Sequence, residues 1–193
     1  MTVAAATERR TGLIAPGTWQ VDPAHSSVGF RAKHLMIATV KGRFTDVAGT
    51  FEARDDGTLE ASGTIQAASI DTDEPKRDEH LRSADFFEAA RYPEISFVST
   101  EMTPTGDTGF HVVGELTIRG ITKPVELTGS VEGVGRDPWG NDRVGLELRG
   151  ELDRSEFGLT WNQALETGGV LVGDRIKLEI ELSAVKPAAS AAA

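Results

Sequence analysis

Apolar and polar residues alternate strictly in the last regular stretch of the chain, residues 174–185. Five apolar residues from Ile176 to Ala184 share one parity, whereas charged residues and a serine occupy the other. Because successive side chains of a strand point to opposite faces, this pattern predicts a strand with one buried face and one solvated face. The charges on the second face indicate contact with water rather than with lipid.

The same alternation recurs along most of the chain, in short runs separated by turn residues such as Asp55-Asp56-Gly57. Many short strands joined by turns are typical of a β-sandwich or a closed β-barrel. Residues 71–91 break the pattern, and Pro75 is suited to the first turn of a helix. The sequence therefore predicts an all-β fold with a short helical segment near residues 73–91.

Five glycines within the predicted strands share the parity of the apolar residues. A sandwich core would carry bulk there, whereas glycine inside a strand marks a bend, a bulge or an empty space. The pattern favours a barrel with tight curvature, an unfilled lumen or both, and a barrel of about eight strands just holds a small ligand. A well-packed barrel whose glycines serve curvature alone stays open as an alternative. The glycines are Gly49, Gly63, Gly114, Gly129 and Gly150.

The composition narrows the classes of function. The 193 residues suit one domain, with a predicted disordered head at residues 1–16, a barrel at residues 17–186 and a disordered tail at residues 187–193. The formal net charge of -10 argues against nucleic acid as a partner. No run approaches the roughly 20 apolar residues of a membrane-spanning helix. No apolar signal stretch follows the first residues, so we expect a cytoplasmic protein.

The residue types that support catalysis or metal binding form no recognised motif. The absence of cysteine excludes thiolate chemistry. His25, His34 and His80 could meet at one rim of a barrel, but their spacing matches no zinc signature. Neither Gly-x-Ser-x-Gly nor the Gly-Lys-Ser/Thr of a phosphate loop is present. We therefore expect no catalytic residues, no metal site and no required cofactor.

Several stretches, taken together and in order, resemble the YceI family of lipocalin-like lipid-binding proteins. The first reads Trp19-Gln-Val-Asp-Pro-Ala-His-Ser-Ser-Val-Gly-Phe30, and the last reads Asp153-Arg-Ser-Glu-Phe-Gly-Leu159. The resemblance implies an extended eight-stranded antiparallel barrel around an apolar tunnel that binds a polyisoprenoid or an isoprenoid quinone. The remaining matches are His34 and residues 41–44, 70–72, 77–87, 92–97 and 114–125.

The alternation of inward and outward positions in the strands, together with the family resemblance, predicts which residues contact a ligand. We expect the segment 71–91 to cover one end of the barrel and to contribute both apolar lid residues and a polar cluster for the ligand's head group. The predicted lumen residues are Phe30, Phe44, Phe51, Ile65, Phe97, Phe110, Leu116, Leu127, Leu146, Leu148, Phe157, Trp161 and Ile180. The predicted polar end and lid are His34, His80, Arg82, Leu81, Phe86 and Phe87.

The function expected from this sequence is storage, transport or protection of a long apolar lipid. One alternative is an enzyme that acts on an isoprenoid-like substrate with His34 or His80 as acid and base. Another is a packed barrel that binds only a protein partner. The sequence leaves a homodimer open.

Overall fold

The structure is a computed structural model that describes residues 14–56, 58–166 and 168–187. Eight strand positions close into an antiparallel β-barrel, and one short helix covers part of it. Gly57 of the predicted hairpin turn lies outside the described residues. The strands are β1 (Gly17–Val21), β2 (Ser27–His34), β3 (Ala38–Phe44), β4 (Val47–Ala53), β5 (Leu59–Gln66), β6 (Ile70–Asp71), β7 (Glu94–Thr105), β8 (Gly109–Ile118), β9 (Ile121–Arg136), β10 (Asp142–Asp153) and β11 (Val172–Lys186), and the helix is α1 (Pro75–Arg82).

The barrel closes on β11, which hydrogen-bonds to a different neighbour on each edge. One edge pairs with β10 along its whole length. The other edge pairs with β2 and then, past a break at Asp22-Pro23, with β1. Proline lacks the N–H that a ladder needs, so this break divides one strand position into two short strands. β1 also pairs with β4, which completes the ring.

The alternation predicted for the last strand is present in β11. Ile176, Leu178, Ile180 and Leu182 face the barrel interior. On the outer face, Glu179 forms an ion pair with Arg31 of β2 at 2.8 Å. The parity therefore separates the apolar inner wall from the charged outer wall, as the pattern predicts.

Trp19 closes one end of the barrel. Its ring stacks on Phe51 with a centroid distance of 5.7 Å, and its Nε1 donates to the carbonyl of Ala15 at 2.9 Å. Ile14 is buried in the same cluster, so the predicted disordered head is wrong for residues 14–16. Residues 1–13 and 188–193, which hold the rest of the predicted head and tail, lie outside the described residues. We call this the Trp19 end.

α1 and the turns after it lie at the opposite end, which we call the α1 end. Pro75 begins the helix, and Glu74 caps it by accepting from the backbone N–H of Lys76 at 3.3 Å. Asp78 is buried and accepts from the backbone N–H and the hydroxyl of Thr72. These bonds tie the helix to the chain that leaves β6.

The five glycines of the inner face fall into two groups. Gly49 and Gly63 lie opposite each other on β4 and β5, and both border the interior cavity. By contrast, a side chain added at Gly114 or Gly129 would overlap the ring of Phe97 or Phe110, and one at Gly150 would overlap Leu127. The prediction of empty space is therefore wrong at these three positions. There glycine makes room for a large side chain from the adjacent strand.

We predict that Gly114→Ala destabilises the barrel. The added methyl group meets the Phe97 ring and the backbone carbonyl of Val98 at 2.7 Å, so we expect the free energy of unfolding to fall by about 1–3 kcal/mol. Urea denaturation measures the change. The control is Gly133→Ala, since no atom lies within 4 Å of the added methyl group. Equal stability of the two variants would show that the Phe97 ring yields freely.

A carboxylate network braces the Trp19 end. The Arg143 side chain of β10 donates to Asp22 at 2.9 Å and to Asp137 at 3.0 Å. Burial raises the pKa of Asp137, but hydrogen bonds from Asn141 and Arg143 outweigh it and lower that pKa from 3.8 to about 2. The network links the turn after β9 to the break between β1 and β2.

This pKa predicts a loss of stability in acid. A carboxylate whose pKa is depressed by folding stabilises the protein above its unfolded pKa, and this contribution is lost as the pH falls from about 4 to about 2. We expect Asp137→Asn to flatten the decline in unfolding free energy across this window, as measured by chemical denaturation at stepped pH. The same slope in the variant and the wild type would contradict the assignment.

Candidate ligand-binding cavity

The inner faces of the strands enclose a cavity of about 300 Å³. It follows β11 from Val172 to Leu182, a distance of about 33 Å at the rise of a strand. Apolar side chains from nearly all strands form its wall, because each strand presents its apolar parity to the interior. This combination of small volume and great length describes a narrow channel rather than a round pocket.

The structure places the predicted lumen residues in the cavity wall, except Phe157 and Trp161. Phe157 lies in the 3-10 turn Arg154–Phe157 and packs in the core behind the wall. Trp161 lies against His80 and Phe86 at centroid distances of 4.7 and 5.3 Å. Both residues follow the end of β10 and lie outside any strand, so strand alternation does not predict which way their side chains face. The residues in the wall are Phe30, Phe44, Phe51, Ile65, Phe97, Phe110, Leu116, Leu127, Leu146, Leu148 and Ile180.

The apolar lid residues Leu81, Phe86 and Phe87 border the cavity at the α1 end. The Phe87 ring meets the edge of Phe44 on β3 at 5.7 Å, with an interplanar angle of 85°. Such edge-to-face pairs contribute about 0.5–1.5 kcal/mol beyond area burial. The segment after α1 therefore covers this end with aromatic rings that pack directly on the barrel.

The predicted polar cluster does not face the cavity. His80 bonds to Asp85 at 2.9 Å, and its ring stands behind Phe86 at 5.1 Å. Arg82 donates to the carbonyls of Ala68 and Ile70, both at 2.7 Å. His34 lies at the end of β2, outside the wall. The structure therefore places these three side chains outside the cavity wall, and their contact with a head group stays a prediction.

Arg154 is a wall residue that the alternation did not predict. It is 3% exposed and borders the cavity just after the end of β10. Its guanidinium donates to the carbonyls of Leu159 (2.6 Å), Trp161 (3.0 Å), Gly173 (3.1 Å) and Val172 (3.4 Å). It also pairs with Asp174 at 3.0 Å. The only sequence signal for it was its place in the stretch 153–159.

Arg154 therefore stabilises the α1 end rather than offering a free charge. Four of its five N–H groups donate to backbone carbonyls, and Nη2 also lies 3.0 Å from the Asp174 carboxylate as an ion pair. These bonds join the turn after β10 to the start of β11. These partners within the chain hold the cation in place beside the cavity.

The site offers little else for polar chemistry. Within the described ranges, Arg154 is the sole ionisable side chain in the wall. In the same part of the chain, no three His, Asp or Glu side chains converge in a way that could hold a metal ion. None of the described helices has the length and apolar character needed to cross a bilayer. The arrangement suits burial of an apolar molecule.

The architecture is therefore that of a closed antiparallel β-barrel of about eight strands with an apolar interior cavity. The chain belongs to the YceI-like domain family, whose model matches residues 19–184. Among curated relatives, a UPF0312 protein of Staphylococcus aureus (strain USA300) is 41% identical over 161 residues, which are 82% of this chain and 91% of that protein. That name assigns no catalytic activity.

Solved structures share the same fold. A YCEI protein of Campylobacter jejuni is 30% identical, with a TM-score of 0.70 over 81% of this chain and 90% of that chain. Burkholderia cenocepacia BcnA is 24% identical, with a TM-score of 0.71 over 84% of this chain and 98% of that chain. A polyisoprenoid-binding domain from Saccharophagus degradans is 14% identical, with a TM-score of 0.65 over 88% of this chain and 98% of that chain.

We predict that Arg154→Met destabilises the protein strongly. Several backbone carbonyls lose their donor, and each buried acceptor left unpaired costs about 1–3 kcal/mol. We expect the free energy of unfolding to fall by at least about 3 kcal/mol in thermal or urea denaturation. The control is Arg175→Met, whose side chain is exposed and pairs with Glu151 at 3.3 Å. We expect that change to cost less than about 1 kcal/mol. Similar losses in both would rule out a bracing role for Arg154.

Proposed function

We propose that this protein binds a long apolar lipid, a polyisoprenoid or an isoprenoid quinone, inside the barrel. The observation that carries the proposal is the composition of the cavity wall. Apolar side chains dominate it, and Arg154, its one charged residue in the described ranges, is held by four backbone carbonyls and Asp174. Such a wall favours hydrocarbon and gives no compensation for the lost hydration of a polar ligand.

The energetics favour a long chain over a short one. Each methylene group that leaves water for an apolar environment contributes about 0.8 kcal/mol. A channel of about 33 Å along β11 extends this gain over many carbons. The narrow cavity admits one extended chain, so length rather than width is the property it selects.

Two observations support the isoprenoid class. The wall is rich in aromatic and branched side chains, among them Phe30, Phe51, Phe97 and Phe110, which pack well against the methyl branches of an isoprenoid. The polyisoprenoid-binding domain of S. degradans has the same fold. We infer that the barrel stores, transports or protects such a lipid, because a chain held within the wall is shielded from water.

The alternatives lack a supporting observation. An enzyme that uses His34 or His80 would need one of them in the cavity, and both lie outside its wall. A fully packed barrel would leave no cavity of about 300 Å³. The glycine pair Gly49 and Gly63 borders this space and contributes to it.

The direct test is mass spectrometry of lipid extracted from protein purified without detergent. We expect a long-chain isoprenoid in stoichiometric amount. Because four backbone carbonyls and Asp174 already engage Arg154, a quinone and the matching hydrocarbon should bind within about threefold of each other, or about 0.6 kcal/mol. A short polar metabolite, or an empty barrel that also fails to take up added isoprenoids, would refute the proposal.

We predict that Ala61→Phe reduces lipid binding while the protein stays folded. Ala61 faces the cavity from β5, so the added ring occupies space that the ligand needs. We expect at least a tenfold loss of affinity for a long isoprenoid, about 1.4 kcal/mol, in a fluorescence displacement assay. The matched control is Glu60→Phe, because its side chain points to the opposite, exposed face of the same strand. Equal affinity of the two variants would place the ligand outside the barrel.

A further inference from the structure

The turn between β2 and β3 exposes three apolar side chains at the α1 end. Leu35 is 38% exposed, Met36 is 60% exposed and Ile37 is 84% exposed. They stand next to each other at the tip of the hairpin, which His34 and Ala38 close as a strand pair. None of the three belongs to the hydrophobic core clusters of the described residues.

The backbone conformation of this turn disfavours the large side chains of Leu35 and Met36. Leu35 and Met36 have φ angles of 53° and 60°, and the N–H of Ile37 donates to the carbonyl of His34 at 3.1 Å. Glycine or asparagine suits two successive left-handed residues in a hairpin turn, whereas a large side chain adds strain. Strained positions of this kind concentrate where a protein binds something.

The outer face of the same hairpin is basic, although the whole chain carries a net charge of -10. Its outward positions include Arg31, Lys33, Lys41 and Arg43. Arg31 pairs with Glu179 and Arg43 pairs with Asp71. Within the part of the chain that the structure describes, no carboxylate lies at ion-pair distance from Lys33 or Lys41. Two exposed cations therefore remain free beside the apolar tip.

The Trp19 end also carries an exposed apolar side chain, but no basic strand face lies beside it in the described residues. Trp139 is 78% exposed in the turn between β9 and β10. The turns at this end carry the carboxylates of Asp55, Asp56, Asp107 and Asp137. The α1 end also carries exposed carboxylates, such as Asp73 and Asp85, but the arginines in the turns beside Trp139 and Asp55 are paired, Arg136 with Asp142 and Arg54 with Glu60, whereas Lys33 and Lys41 are not.

We infer that the β2–β3 hairpin docks the protein on an anionic phospholipid bilayer, with Leu35, Met36 and Ile37 inserted among the lipids. Apolar residues at the interface and nearby cations are the two attractions that hold proteins on such membranes. The hairpin continues the cavity wall, because Ala32 of β2 and Val172, the strand partner of His34, both border the cavity. Docking brings the α1 end to the bilayer. This surface goes beyond the lumen ligand, and bilayer binding is measurable whether or not a lipid occupies the barrel.

The test is flotation of the full chain with vesicles of phosphatidylcholine alone or mixed with phosphatidylglycerol. We expect binding to the mixed vesicles at about 0.1 M salt and strong weakening at about 1 M, where the screening length falls from about 10 Å to about 3 Å. Equal binding to both vesicle types, or binding to neither, would overturn the inference.

Two double variants separate the two attractions. Met36→Ser with Ile37→Ser should lower partition into mixed vesicles at least tenfold. Lys33→Gln with Lys41→Gln should lower it about 25-fold, at about fivefold for each cation. Trp139→Ser is the matched control, since it removes an equally exposed apolar residue from the other end. Far-UV circular dichroism verifies folding. A control that loses as much binding as the tip variant would overturn the assignment.

The absence of cysteine permits a second measurement that reports the orientation. Ile37→Cys and Trp139→Cys each create one site for an environment-sensitive fluorophore. Mixed vesicles should shift the emission of the dye at position 37 to the blue and leave the dye at position 139 unchanged. The reverse result overturns the orientation. A wild-type dimer that Met36→Ser with Ile37→Ser converts to monomer, without vesicle binding, would assign the tip to a second copy instead.

Discussion

The structure depends on one constraint: the backbone must hydrogen-bond to itself around an interior that offers it no other partner. Apolar side chains line that interior, so an unpaired N–H or carbonyl at the wall would have nothing to bond with. Closing the sheet solves this for the ring of β1, β4, β5 and β7–β11, whose strands each have a neighbour on both edges, while β3 pairs on its outer edge with β6 at Arg43 and Phe44. The break at Asp22-Pro23 is tolerated because β1 and β2 share the edge of β11 between them.

Glycine and phenylalanine divide the interior between packing and space. Phe110 lies opposite Gly129 and fills the room above it, as Phe30 does opposite Gly42. No ring lies over the Gly49–Gly63 pair, where the nearest side-chain atom is Val21 Cγ2 at 3.1 Å from a Cβ built on Gly49, and the cavity reaches the backbone there. The same residue type therefore marks a packed site in one place and an open one in another. The side chain on the adjacent strand decides whether the space above a glycine is packed or open.

The wall of the barrel could be predicted from the sequence, whereas its ends could not. Strand alternation has a period of two, so one known inward residue, such as Ile180, assigns the others on its strand. The helical segment and the turn after β10 lack that period, which is why Trp161 was misplaced and Arg154 was missed. His80 and Arg82 lie outside the wall, held by Asp85 and by the carbonyls of Ala68 and Ile70, and the sequence pattern does not contain these contacts. Whether a glycine is packed or open depends on which residue of the neighbouring strand lies opposite it. The sequence of one strand alone does not give that register.

The pairing of β11 with β1 and β2 also has a consequence for biosynthesis. These contacts join residues near the beginning of the barrel to its last strand, so they are among the longest-range contacts in the chain. During translation, residues 17–153 emerge from the ribosome first, and two strand edges stay unpaired until β11 follows. Topologies with such distant contacts fold slowly, and exposed edges in partly made chains promote aggregation. The nascent barrel is therefore most dependent on chaperones just before its final strand is released.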